Sequence, residues 1–307
     1  MTRKILDYLI IFLKGLAMGA ADVVPGVSGG TIAFISGIYE ELLETINSVN
    51  FNTLKILKNN GVKAMWKSIN GNFLISLLFG IFISIVSFAK LIKWSIENKP
   101  IMVWSFFFGL VLASVIYIAK QIKNWNFLSV IGLIAGASIA YYITILPPMV
   151  STSSSGLFMF FAGALAICAM ILPGISGGFI LLLLGAYKPA LDALHDKDLK
   201  TIFLLITGAI VGLLSFSRIL KWLFDKYHNL TLAVLTGFVF GSLNKIWPWK
   251  KIIESEMING KLKILQEDSI SPMSYQGDPQ LGWALFLAII GFIVILLLEK
   301  SAKVKAI

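Results

Sequence analysis

The sequence predicts an all-α integral membrane protein built from two inverted-topology repeats, each a broken re-entrant helical hairpin followed by three transmembrane helices. Two observations carry that expectation. With 57% apolar and only 14% charged residues among 307, the chain has more hydrophobic surface than a soluble core of ordinary proportions hides. And Pro25-Gly26-Val27-Ser28-Gly29-Gly30 recurs 148 positions later as Pro173-Gly174-Ile175-Ser176-Gly177-Gly178, each copy inside a segment apolar enough for a bilayer.

The likeness extends past the hexapeptide. Gly15, Ala21, Gly37, Tyr39 and Leu43 align with Gly163, Ala169, Gly185, Tyr187 and Leu191 at the same offset. At an offset of 128, Gly80, Ser87, Phe88, Lys90, Lys93, Trp94 and Gly109 meet Gly208, Ser215, Phe216, Arg218, Lys221, Trp222 and Gly237. The change of offset reflects a longer connector in the first half, the polar run Asn47 to Asn70.

In chain order, the first repeat (1–150) opens with a hairpin over 5–46, whose arms Ile5 to Val24 and Val27 to Ile46 are joined by a Pro-Gly break with no polar loop. Spans follow at about 72–95, 101–120 and 126–147, each near the roughly 20 residues a crossing needs. The second repeat (156–300) has its hairpin at 157–194 and spans at about 201–224, 229–246 and 281–299, interrupted by an exposed or interfacial loop over 247–280 that carries Trp247-Pro248-Trp249. Two ordinary spans in place of each hairpin keep the same parity. Three crossings per half make the second half start from the opposite face, the plan of many secondary transporters, whose site lies near the midplane where broken helices meet.

Placing both termini in the cytoplasm puts Arg3, Lys4 and the acid-free run Asn47 to Asn70 inside, and Asp192, Asp196, Asp198, Glu254, Glu256, Glu267, Asp268 and Asp278 outside. That orientation follows the positive-inside bias of the cytoplasmic membrane. The net charge of +10 reads as attraction to anionic lipid headgroups, because a nucleic-acid partner would want a basic soluble domain. Membrane lipids are therefore partners, and a homo-oligomer is compatible with the sequence. The lone cysteine, Cys168, lies in a membrane segment and reads as packing. Arg3-Lys4 before an apolar run imitates a secretory signal, but its repeat partner lies mid-chain, so the segment is expected to be retained. His195 and His228 lack the companions of a metal site, no P-loop is present, and no cofactor is expected.

The hexapeptide points to anion chemistry. Its proline ends the incoming helix, its glycines let the chain reverse, and the next helix starts at once with unpaired N–H groups at the positive end of its dipole. Gly26, Ser28, Gly29, Gly30 and Thr31, facing Ser176, Gly177 and Gly178, can cradle a phosphate or carboxylate. The plainer alternative is that the glycines serve close helix packing.

Lys90 and Arg218 occupy equivalent places in the two halves, each with a lysine and a tryptophan at i+3 and i+4, and are candidates to face the anion. Snorkelling to the interface explains such residues equally well. Asp22 has Met170 as its counterpart, so the architecture does not demand an acid there. A carboxylate at membrane depth costs about 2.5–3.5 kcal/mol and commonly marks an ion or proton path, whereas the structural alternative is a cap on its own hairpin. Glu44, matched by Asp192, is the second coupling candidate, beside Glu40 and Glu41 at the hairpin mouth.

Gly15-Leu-Ala-Met-Gly-Ala-Ala-Asp-Val-Val-Pro-Gly-Val-Ser-Gly-Gly-Thr31, with its echo at Pro173 to Gly178, resembles the signature of the polyprenyl-phosphate translocase family, and the resemblance covers almost the whole chain. It implies a bacterial or archaeal membrane protein that returns undecaprenyl phosphate, the carrier lipid of cell-wall precursors, from the outer to the cytoplasmic leaflet. It implies no catalytic residue beyond the motif. Two other classes fit parts of the pattern: a secondary transporter of a small soluble anion, and a lipid-phosphate phosphatase, which lacks well-placed acid/base support here.

Overall fold

The computed structural model describes residues 3–24, 26–149, 155–258 and 261–303; Pro25 of the first hexapeptide lies outside them. Helices dominate, since backbone groups at lipid depth must be paired within the protein. The first half runs α1 (Ile5–Asp22), α2 (Gly29–Ile35), α3 (Tyr39–Ser48), α4 (Phe51–Ser68), α5 (Gly71–Asn98), α6 (Pro100–Ala119) and α7 (Phe127–Ile145). The second runs α8 (Gly156–Ile171), α9 (Gly177–Leu183), α10 (Tyr187–His195), α11 (Leu199–Ser242), a 3-10 turn (Leu243–Ile246), β1 (Lys250–Ile258), β2 (Lys261–Ser269), a second 3-10 turn (Pro272–Ser274) and α12 (Leu281–Lys303).

Among the described residues, four helices are long and apolar enough to cross a membrane: α5, α6, α7, and α11 with its 3-10 extension. A fifth arises if α9 and α10, bent by 105°, count as one. α8 and the apolar part of α12 are shorter. α11 holds both runs expected at 201–224 and 229–246, and its 44 residues at about 1.5 Å each reach roughly twice the hydrocarbon thickness. The helix is broken at Tyr227 (φ −133, ψ 46). Lys99, between α5 and α6, has nearly the same backbone (φ −138, ψ 52), and it sits where the offset of 128 pairs it with Tyr227.

Glycines set the packing. A Cβ at Gly15 would strike the carbonyl of Leu77, and one at Gly80 that of Phe12, locking α1 against α5. The offsets map these contacts onto Gly163 against Leu205 and Gly208 against Phe160, which lock α8 against α11. Gly237 against Leu133 and Gly136 against Val234 join the end of α11 to α7; Gly109 against Ala288 and Gly291 against Phe106 join α6 to α12. Each half thus lends its second span to the third span of the other. Small residues suit such contacts because lipid supplies no hydrophobic drive between helices.

Four segments depart from the sequence expectation. The returning arm of each hairpin is two short helices, broken at Gly37 and Gly185, both at φ +70. Most of the polar connector is helix α4, in which exposed Phe51, Leu54 and Val62 sit among lysines. The expected loop over 247–280 contains an antiparallel ladder with Lys250 opposite Ser269 and Ile252 opposite Glu267. Trp249 buries against Ile101 and Ala284, while the indole N–H groups of Trp247 and Trp249 donate to the carbonyls of Ile270 and Pro279, both at 2.9 Å. Buried indoles need such partners, and they tie the strands to the helix ends.

Candidate functional site

The chain reverses at Gly26 (φ +83) and Gly174 (φ +95), a backbone region that glycine enters at little cost. Directly after each turn a serine caps the next helix. Ser28 accepts the N–H of Gly30 at 3.1 Å, and Ser176 accepts that of Phe179 at 3.2 Å. The two tips then meet. Thr31 Oγ1 accepts the Gly174 N–H at 2.9 Å, Ser28 Oγ lies 3.1 Å and 3.2 Å from the carbonyl oxygens of Met170 and Leu172, and the Tyr39 hydroxyl donates to Ile171 at 3.2 Å. The first hairpin gives side chains and the second gives backbone, including carbonyls at the end of α8 that have no intrahelical partner.

Of the residues expected to cradle an anion, Gly26, Ser28, Gly29, Gly30, Thr31 and Gly177 are buried and Ser176 is half-buried. The hydroxyls of Ser28 and Thr31 are engaged between the hairpins in this arrangement. Asp22 Oδ1 accepts the Gly29 N–H at 2.6 Å, so a carboxylate already sits on the start of α2, as the capping alternative requires. Met170 holds the equivalent place beside Gly177 and brings no charge. Gly178 is exposed, with no atom within 4 Å of where its Cβ would stand. The tips are alike in backbone and unlike in charge.

Lys90 and Arg218 are exposed, and among the described residues no hydrogen bond or ion pair joins either to the hairpin tips. Glu44 pairs with Lys221 at 3.3 Å, Glu40 with His228 at 3.4 Å and Glu41 with Arg3 at 2.5 Å. The acids of α3 therefore fasten the first hairpin's mouth to the chain start and to the break in α11. Exposed pairs of this kind are individually weak.

One charged cluster escaped the sequence reading. Lys245 Nζ and Lys250 Nζ share Glu267 Oε1, at 3.3 Å and 2.5 Å, and Lys250 also donates to the Lys245 carbonyl at 2.5 Å. The three side chains are 18%, 9% and 17% exposed respectively, so this is a part-buried group of two lysines and one glutamate. Burial pushes Lys250 down to about 8 against the opposing pull of Glu267. Burial alone would raise Glu267, but the two ammonium groups hold it below the usual carboxylate range. The missed signal was the dipeptide Asn259-Gly260 in the sequence between two alternating runs, a pair that favours a hairpin; the ladder, with Ile252 opposite Glu267, sets Glu267 diagonally beside Lys250.

The model of the undecaprenyl phosphate translocase-like family matches residues 18–263. A polyprenyl-phosphate transporter of Vibrio cholerae serotype O1 is 47% identical over 309 residues, covering 99% of this chain and all of that protein. The chain belongs to this translocase-like family. A polyprenyl-phosphate transporter of Staphylococcus aureus is 32% identical over 257 residues, 78% of this chain and 86% of the other. No solved structure gives a significant match. Family and relatives indicate a membrane transporter rather than an enzyme.

Proposed function

We propose that the protein carries polyprenyl phosphate through the membrane, returning undecaprenyl phosphate from the outer to the cytoplasmic leaflet for reuse in envelope synthesis, driven by an ion or proton gradient. The relatives' names support the substrate class. The observation that carries the mechanism is the meeting of two broken hairpins at their tips. A phosphate must cross a layer in which its charge is very costly while its isoprenoid tail stays in lipid, and paired helix starts supply fixed dipoles for that passage.

An inverted repeat is supported by the glycine contacts repeating at the sequence offsets, by the matched backbones of Lys99 and Tyr227, and by the exchange of second and third spans between halves. In this reading the tips hold the headgroup through Gly26, Ser28, Gly29, Gly30 and Thr31 on one side and Ser176, Gly177 and Gly178 on the other, with Lys90 and Arg218 guiding it from the helix surfaces. Direct bonds between the tips make the present arrangement a closed one. Asp22 excludes a second negative charge from the start of α2, because two anions in a low-dielectric site repel strongly. Phosphate reaches that end only when Asp22 withdraws or takes a proton, which links occupancy to a gradient; Glu44, held by Lys221, is the second coupling group.

The test is uptake of labelled undecaprenyl phosphate in liposomes containing purified protein. Competition by a short-chain prenyl phosphate, and none by sulfate or citrate, is expected. Competition by sulfate or citrate would reassign the site to soluble anions, and release of inorganic phosphate would identify a phosphatase.

A further inference from the structure

The cluster of Lys245, Lys250 and Glu267 touches both hairpins. The Lys245 stem lies so close to the first tip that a Cβ on Gly26 would come within 2.9 Å of its Cγ. Its ammonium stands 4.7 Å from the ring centroid of Phe179, in the first turn of α9 directly after the uncrowded Gly178. Lys250 is held differently, over the Trp104 ring at 5.0 Å and by the Lys245 carbonyl. Two ammonium groups on one carboxylate oxygen leave a part-buried excess of one positive charge, which an incoming anion would balance.

We propose that this cluster is a phosphate-monoester site in which the Lys245 ammonium binds the headgroup while Lys250 retains Glu267. The inference rests on the polyprenyl-phosphate reading and adds the cation that the hairpin tips themselves lack. Glu267 is the resting partner of Lys245. When a phosphate arrives, Glu267 stays with Lys250, its nearer partner, and Lys245 turns to the new anion. Lys250 is a positioning residue, since among the described residues its contacts run to Glu267, Trp104 and backbone and none to a hairpin tip.

The test measures binding of a short-chain prenyl phosphate and, separately, inorganic phosphate to the purified full-length protein in detergent, together with thermal unfolding. Lys245→Gln should weaken prenyl-phosphate binding about tenfold or more, and Lys245→Arg should restore most of it. Glu267→Gln should lower the unfolding temperature without ligand, bind prenyl phosphate more tightly than wild type, and recover stability when it is added. A purely structural ion pair predicts the same loss of stability with no gain in binding and no recovery. Stronger binding of prenyl phosphate than of inorganic phosphate assigns the site to the lipid headgroup; equal binding assigns it to the free ion. Wild-type affinity in a folded Lys245→Gln protein overturns the assignment while leaving the transport reading intact, and absence of binding in the wild type overturns both.

Discussion

At the scale of single residues, Asp22 and Glu267 do different work with the same functional group. Asp22 accepts the Gly29 N–H, and asparagine can accept it too. Asp22→Asn should therefore keep the fold and the binding of undecaprenyl phosphate but lose acceleration of transport by a pH gradient, measured in vesicles with and without the gradient. An unchanged response returns Asp22 to capping alone. Asp22→Ala leaves the N–H unpaired and should cost about 0.5–2 kcal/mol of stability. Glu267 has a folded-state pKa held below its ordinary value of 4.5. Its stabilising contribution is accordingly complete above the unfolded pKa and lost as pH falls through the folded one. Lys250 runs at the other end of the scale: with its folded pKa near 8 against 10.5, stability gains from it as pH rises between those values. Pepsin cleavage within 250–269, compared between about pH 5 and pH 3, should rise more steeply in wild type than in Glu267→Gln, where nothing titrates at that position.

Among elements, the sequence carried the hairpins because an apolar run broken by Pro-Gly twice at one offset has few other readings. It also carried α5, α6 and α7, whose apolar runs match one crossing each. The bends at Gly37 and Gly185 were visible as matched glycines, yet nothing local says that a glycine will take positive φ. The strands were legible at Asn259-Gly260 but hidden by the charges around them, and the lysine cluster followed them into obscurity because it depends on their pairing. Contacts between the hairpin tips involve residues 143 positions apart, which periodicity cannot see. Helix packing gives a direct test at this scale. A side chain at Gly208 would strike the Phe160 carbonyl, whereas Gly178 has open space. Gly208→Leu should fail to give a monodisperse protein in detergent, while Gly178→Leu should remain folded and transport poorly. Full transport in folded Gly178→Leu would show that the second tip does not meet the headgroup.

Across the whole molecule α6 packs on α12 and the end of α11 on α7, while the two hairpin tips hydrogen-bond to each other. In a Cys168→Ser background, single cysteines at Asn52 and Lys197, both exposed and each following a hairpin, should react with impermeant thiol reagents from opposite faces, Asn52→Cys from the cytoplasm. Labelling of both from one face removes the inverted arrangement, because three crossings must separate them. Orientation in turn fixes the face on which the lysine cluster lies, since it follows the end of α11. In the proposed transport the polyprenyl phosphate headgroup moves between leaflets through this protein. The most direct measurement of that movement follows headgroup accessibility of labelled undecaprenyl phosphate in proteoliposomes of known protein orientation. Label placed in the leaflet corresponding to the outer face is expected to disappear from that surface faster than in protein-free vesicles, and faster still with an imposed gradient. Loss at the protein-free rate, with the protein folded and correctly oriented, would contradict the proposed transport.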